Sequence, residues 1–263
     1  MIRELEKARA LKGRLRAGNV LLAAQVILTD TSSVEILARA GFDMIVIDGE
    51  HSAHDLLSMQ SMLQAGVAGD AVVLARPLRL DPDLIRQYLD LGSPGVVCPF
   101  IETGQQAQTL VDSTRYPPAG IRGFGPTRAG AHGADAGEYF ESANDAMLCI
   151  PIIESATAVE NIDEIVAVDG IDAVLIGPVD LSISLGVFAQ YTSERYLDAV
   201  AAVRAACERH GTAMGTGAYD LEHARASRDA GIQLLLALSD DQALRQTATD
   251  LVATLRATPA GNG

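Results

Sequence analysis

Asp48, Glu50, His51, His54 and Asp55 fall within one nine-residue stretch, "IDGEHSAHD" at 47–55, directly after the apolar run Met44-Ile45-Val46-Ile47. A carboxylate three residues from an imidazole makes an acid/base dyad. Asp48 would hold one tautomer of His51 and raise its basicity. The alternative is a helix-capping Asp beside a surface His. Arg76 is the single charge closing the apolar stretch "AVVLARP", and Pro77 withholds the next ladder donor. A guanidinium there can bind a carboxylate or carbonyl oxygen and stabilise an enolate, or it can serve as a strand-end salt bridge. Glu154 opens "ESATAVENI" and Asp180 opens "DLSISLG". Two carboxylates with no Cys beside them form a hard oxygen site, suited to Mg²⁺ or Mn²⁺ with water and substrate oxygens completing the shell. Both acids equally suit helix caps, and spacing alone leaves the two readings open. His54, His210 and His223 read as surface residues, and His132 as a candidate substrate contact.

These residues need a frame. Short apolar runs at 20–28, 43–48, 71–76, 95–98, 147–153, 172–176, 212–215 and 233–238 alternate with helical patterns near 32–40, 55–65, 81–91, 103–114, 155–167, 193–209, 219–229 and 240–256. Repeated strand–helix units imply a parallel sheet, and eight of them predict an α/β fold of the (β/α)8 TIM-barrel type. "ARAGFD", "LDLGSPG" and "RDAGIQ" each place Gly where a helix must end. In such a barrel the strand C-terminal ends carry the chemistry. That one face then collects Asp48, His51, Arg76, Glu154 and Asp180. The segment 115–146 breaks the rhythm with six Gly, three Pro, three Arg and a His. It is expected between strands 4 and 5 on the site face, because long connections in compact domains are commonly functional.

Composition narrows the function. The 263 residues form one expected domain, with an N-terminal helix at 1–18 and a frayed tail at 257–263. Hydrophobic residues make up 48% and aromatics 4%, so the core must be built from Ala, Val, Leu and Ile. A net charge of −14 argues against nucleic acid and anionic membranes as partners. An anionic substrate would need local positive charge from Arg or a metal ion. Cys98, Cys149 and Cys207 are odd in number and widely spaced. They predict neither disulfides nor zinc, and fit a reducing, cytoplasmic setting. No apolar run reaches the roughly 18–20 residues that span a membrane.

"EILARAGFDMIVIDGEH", "RYPPAGIRGFGP" and "GIDAVLIGPVDLSISLG", in that order, resemble three motifs of the HpcH/HpaI aldolase/citrate lyase family. The resemblance spans about residues 10 to 256 and includes metal-dependent class II pyruvate aldolases on a phosphoenolpyruvate/pyruvate-type barrel. It implies that Glu154 and Asp180 hold a divalent ion, Mg²⁺ or Mn²⁺ with Co²⁺ as a further candidate. Pyruvate would chelate that ion, and Arg76 would bind the keto oxygen. His51 with Asp48 would move protons at the aldehyde or alcohol oxygen. Asp90 would support the site, and Gly177-Pro178 would line the pyruvate carboxylate pocket. The implied reaction is reversible retro-aldol cleavage of a 4-hydroxy-2-oxo acid to pyruvate and an aldehyde. It needs no Schiff-base lysine, and the only lysines, Lys7 and Lys12, fall in the N-terminal helix. Two departures stand out. Ile152 occupies a place where many members carry Gln, and the loop reads "FGPTRAGAHG", so that Arg128 and His132 are expected to meet the distal part of the substrate. Family members assemble as hexamers, trimers of dimers, with the last helix exchanged between partners. The alternatives are a lyase or synthase acting on oxaloacetate or an acyl-CoA thioester, of the citramalyl/malyl-CoA lyase or macrophomate synthase type, and a catalytically inactive barrel that binds a 2-oxo acid.

Overall fold

The structure is a computed structural model that describes residues 2–218 and 220–257. Beyond its first residue, the tail expected at 257–263 lies outside the described residues. Eight parallel strands close into a barrel in the order β1-β2-β3-β4-β5-β6-β7-β8. They are β1 (Leu21–Val26), β2 (Met44–Asp48), β3 (Val72–Arg76), β4 (Gly95–Cys98), β5 (Leu148–Ile153), β6 (Ala173–Ile176), β7 (Ala213–Gly217) and β8 (Leu234–Ser239). The helices are α1 (Ile2–Arg16), α2 (Thr31–Arg39), α3 (Leu56–Ala65), α4 (Pro82–Asp90), α5 (Gly104–Thr114), α6 (Ala136–Ala146), α7 (Ala156–Glu160), α8 (Ile162–Val166), α9 (Pro178–Ser184), α10 (Glu194–His210), α11 (Leu221–Asp229) and α12 (Asp240–Arg256). The (β/α)8 expectation is met. The helical pattern at 155–167 is split at Asn161, and α6 and α9 are additions to it.

Alternation along the strands sorts the core. Leu21 and Ala23, Met44 and Val46, Val72 and Leu74, and Leu148, Ile150 and Ile152 belong to one buried cluster. Ile45, Ile47, Val73 and Ala75 pack instead with α2 and α3 residues such as Leu37 and Met62. Side chains two apart share a face of a strand, so the first set fills the barrel and the second covers its outside. Continuing the inner set by one step reaches Gln25, Asp48, Arg76 and Glu154, the top layer of the barrel.

The lower end is closed by α1, whose Ala8, Leu11 and Leu15 join the inner cluster. Lys12 is buried there. Its ammonium lies 3.1 Å from Asp172 and donates to the Met147 carbonyl at 2.8 Å. Burial pushes the Lys12 pKa down, and Asp172 only partly offsets this. The N-terminal lysine therefore does meet strand ends, but those where β5 and β6 begin, opposite the site.

The connection between α5 and β5 corrects the expectation for 115–146. It follows a helix rather than a strand, so it starts where α5 has returned to the lower end. Arg128 donates to the carbonyls of Leu91 and Leu63, which cap or end α4 and α3. From α1, Arg9 and Lys12 donate to the Ser142 and Asp145 carbonyls of α6. The segment is thus tied to the end away from the site.

The last helix is lightly held. Leu244, Leu251 and Leu255 on α12 are exposed, and Asp240 is its only buried residue. Among the described residues no helix is long and apolar enough to cross a membrane. Cys98, Cys149 and Cys207 are free and buried.

Candidate active site

β2 and β3 pair in a register that sets Asp48 directly beside Arg76. Asp48 is fully buried. Its Oδ1 accepts from Arg76 Nε at 2.9 Å, and its Oδ2 accepts from Arg76 Nη2. The backbone N–H groups of Glu50 and His51 also donate to Oδ1, at 2.9 and 3.1 Å. Gln25 Nε2 donates to Oδ2 at 2.7 Å. Burial pushes the Asp48 carboxyl up, but Arg76 and the two N–H groups outweigh it and hold the group below the ordinary carboxylate range. A bidentate guanidinium–carboxylate pair fixes the plane of Arg76. Gly49 makes the turn possible, because a Cβ there would lie 2.7 Å from both the Arg76 carbonyl and the Tyr88 hydroxyl.

This geometry corrects the predicted dyad. Asp48 meets the backbone of His51, not its ring, and both of its oxygens are committed elsewhere. The ring of His51 stands at the rim with 61% of its side chain exposed, and its Nε2 is 3.7 Å from Glu50 Oε2. His54 also departs from expectation. Both ring nitrogens are buried without a hydrogen-bond partner, and burial lowers its pKa.

Glu154 follows β5 and is 4% exposed. Its Oε1 accepts from the Phe100 N–H at 2.8 Å. Phe100 takes a left-handed φ of 50° to present that N–H, a conformation costing roughly 1–2 kcal/mol for a residue with a side chain. Gly177 leaves room for the other oxygen, since a Cβ there would lie 2.8 Å from Glu154 Oε2. Neither acid caps a helix. Ser155 caps α7, and Gly177 precedes α9 with no side-chain cap bond. Asp180 lies in the first turn of α9.

Sequence reasoning missed Glu50. Its side chain is 6% exposed, 3.4 Å from Arg76 Nη1, and its Oε2 has no hydrogen-bond partner. Burial pushes its pKa up, and Asp48 and Asp180 push in the same direction. Burial likewise drives Glu154 up to about 7, with Glu50 and Asp180 adding to the rise. Three acids therefore repel one another beside one guanidinium already paired to Asp48. Such a set fits a bound divalent cation, whose charge would relieve the repulsion. Among the described residues no group of three or more His, Cys, Asp or Glu is arranged as a metal cage. The fit is to a two-carboxylate site, Glu154 with Asp180, whose other positions are left to water and substrate.

A cavity of about 370 Å³ joins these groups, lined by Arg76, His51, Glu154, Gly177, Pro178 and Asp180 among others. A larger cleft of about 590 Å³ lies at the lower end against α1, and Lys7 and Arg14 there are paired with Glu4 and Asp43. The smaller cavity is the candidate site, because among the described residues its acids, Glu154 and Asp180, form no ion pair. Ile152 lines it too, so an apolar side chain does face the site.

Three predicted site residues lie elsewhere in this chain. Asp90 ends α4 at the lower end, and its carboxylate accepts from Arg122 at 2.8 Å. Burial pushes its pKa up against that pairing. Arg128 is spent on the carbonyls of Leu91 and Leu63. His132 sits in a turn of the same lower connection with φ 54°. Arg128 and His132 were expected near the substrate because the connection was expected on the upper face, and Asp90 because the resemblance implied it.

Residues 25–247 match the model of the family described as HpcH/HpaI aldolase/citrate lyase. A hydroxypyruvate/pyruvate aldolase of Roseovarius nubinhibens is 37% identical over 250 residues, covering 93% of this chain and 96% of that one. A 4-hydroxy-2-oxo-heptane-1,7-dioate aldolase of Salmonella dublin is 40% identical over 178 residues, 67% of this chain and 68% of that one. The crystal structure of a HpcH/HpaI aldolase/citrate lyase family protein from Burkholderia cenocepacia J2315 superposes with a TM-score of 0.91 at 33% identity, covering 95% of this chain and all of that one. With the barrel, its upper layer of acids and a match running through nearly all its strands, the chain belongs to the HpcH/HpaI aldolase/citrate lyase family.

Proposed function

We propose that this protein is a divalent-metal-dependent carbon–carbon lyase that cleaves a 4-hydroxy-2-oxo acid reversibly to pyruvate and an aldehyde. The observation carrying this reading is the meeting of an uncompensated acid pair, Glu154 and Asp180, with the oriented guanidinium of Arg76 in one cavity. Relatives named as aldolases support it.

Retro-aldol cleavage leaves negative charge on the keto oxygen of pyruvate. Mg²⁺ or Mn²⁺, with Co²⁺ as a further candidate, supplies Lewis-acid stabilisation of that charge when bound by Glu154 and Asp180. Arg76 turns its Asp48-fixed plane to the cavity, and its remaining N–H groups can donate to the same oxygen. Asp48 is a positioning residue for Arg76. His51, the titratable ring that lines the cavity among the described residues, moves the proton of the alcohol oxygen through water. Gly177 and Pro178 shape the wall for the pyruvate carboxylate without donating to it. The Gly177 N–H already bonds the Ile153 carbonyl at 3.2 Å, and Pro178 has none. No lysine reaches this end, so a Schiff base has no candidate here. Arg122 and Arg128, the cations a CoA nucleotide would use, are committed to Asp90 and to backbone carbonyls.

The protein works as one barrel domain. The exposed leucines of α12 support exchange of that helix within a homohexamer, and the buried free thiols support a cytoplasmic setting.

The test is proton NMR of pyruvate in D₂O with the protein and Mg²⁺ or Mn²⁺, repeated with EDTA. Methyl deuteration abolished by EDTA is the expected result. Absence of exchange with every divalent ion would refute the pyruvate reading.

A further inference from the structure

The chemistry of the cavity wall facing the metal-binding acids bears on which aldehyde is used. Glu154 and Asp180 follow β5 and β6. Strand order in the closed barrel sets β1 across from β5, with β8 beside β1. On that far side the cavity is lined by Gln25, Leu236, Leu238, Ser239 and Gln242. Two properties of this wall decide the matter.

The first is charge. Among the described residues Arg76 is the only Lys or Arg lining the cavity, and His51 the only other cationic candidate. Arg76 already holds Asp48 and lies 3.4 Å from Glu50. The far wall adds no cation, and Asp241 stands behind it as the acceptor of the Ser239 hydroxyl. A carboxylate on the aldehyde would therefore enter a region that is negative before it arrives, and like charges repel most where water is scarce.

The second is hydrogen bonding. Gln25 sits at the top of the inner face of β1, half-buried. It donates from Nε2 to Asp48 Oδ2 at 2.7 Å. Among the described residues its amide oxygen has no partner. Gln242 lines the same wall with an amide that makes no hydrogen bond among the described residues. An amide left unpaired by an apolar ligand costs binding, whereas a hydroxyl satisfies it.

We infer that the cavity selects an uncharged, hydroxyl-bearing aldehyde, and that Gln25 is a specificity-determining residue through its free amide oxygen. This rests on the aldolase reading, and it names the substrate class of that site.

The test is aldol addition of pyruvate, with Mn²⁺ present, to three aldehydes of matched length: one with a hydroxyl, one without, and one ending in a carboxylate. Pyruvate methyl deuteration is measured first on the same preparation. The hydroxyaldehyde should show a kcat/KM about tenfold or more above the carboxylate aldehyde. In Gln25→Leu the ratio of hydroxyaldehyde to its deoxy analogue should fall toward one, carried by KM. The ratio cancels any general loss caused by slackening Asp48. Gln242→Arg, which adds a cation at the rim, should narrow the gap to the carboxylate aldehyde. Deuteration together with equal or better use of the carboxylate aldehyde overturns the inference and leaves the aldolase reading standing. An unchanged hydroxyl preference in Gln25→Leu overturns the role of Gln25. No deuteration overturns the aldolase reading itself.

Discussion

Replacing Glu154 by Gln should make the metal-free protein more stable and deprive it of its metal. Burial, Glu50 and Asp180 move this carboxyl from an ordinary 4.5 to about 7, a rise worth about 3 kcal/mol between the two protonation states. The sign comes from the direction. A carboxyl raised in the folded state contributes stability that is full below its unfolded pKa, and loses it as the pH climbs through the folded value. For Glu154 that window runs from 4.5 to about 7. Gln keeps an amide oxygen for the Phe100 N–H and carries no charge, so the variant escapes the loss. At pH 8, without metal, it should be more stable than the parent by about 3 kcal/mol, or about 6–12 °C in melting temperature for a chain of this size. The assay is thermal melting in EDTA from pH 5 to 8 for both proteins, then with saturating Mn²⁺. The parent should recover about 2.7 kcal/mol at a metal concentration a hundredfold above Kd, and the variant little. Other buried acids titrate alike in both proteins, so the difference between the curves isolates Glu154 and the groups coupled to it. Parallel curves in EDTA, or equal stabilisation by Mn²⁺, would refute the argument that uncompensated charge marks the metal site.

Four further outcomes are expected. Arg76→Lys keeps the charge but cannot span both Asp48 oxygens; pyruvate deuteration should slow by about 10²–10³-fold with an unchanged far-UV spectrum. Gly177→Ala puts a methyl 2.8 Å from Glu154 Oε2, and calorimetric titration should find Mn²⁺ affinity reduced by about tenfold or more, as when a ligand's support is disturbed. Lys12→Met strands the buried Asp172 and should cost about 3–5 kcal/mol in urea denaturation. Borohydride with pyruvate should not inactivate the parent, because no lysine reaches the site.

The barrel was legible because each strand is a short apolar run and each helix a separate periodic pattern. Asp48, Arg76 and Glu154 were legible as charges that break such runs. Asp180 lies in the first turn of α9, a helix too short to register as a pattern, and was legible as the acid that follows the sixth apolar run. The predicted Asp48–His51 dyad failed because sequence proximity carries no direction. Asp48 ends a strand and points inward to Arg76, while the chain turns at Gly49 and carries the His51 ring to the rim.

Two misreadings came from geometry the sequence already contained. Strands in a closed parallel barrel all run one way, so every segment after a strand lies at the upper end and every segment after a helix at the lower. The pattern at 103–114 is helical, so the segment after it belongs below, with Asp90, Arg128 and His132, however rich in Gly and Arg it is. The second concerns the inner face. Residues two apart share it, so the series Leu21, Ala23 leads to Gln25 as surely as Met44, Val46 leads to Asp48 and Ile150, Ile152 leads to Glu154. Glu50 continues the β2 series by one more step. A neutral amide and an acid past a strand end do not announce chemistry by type. Phase on the strand places Gln25 in the same layer as the charges that were found, and Glu50 follows Asp48 past the strand end to lie 3.4 Å from Arg76.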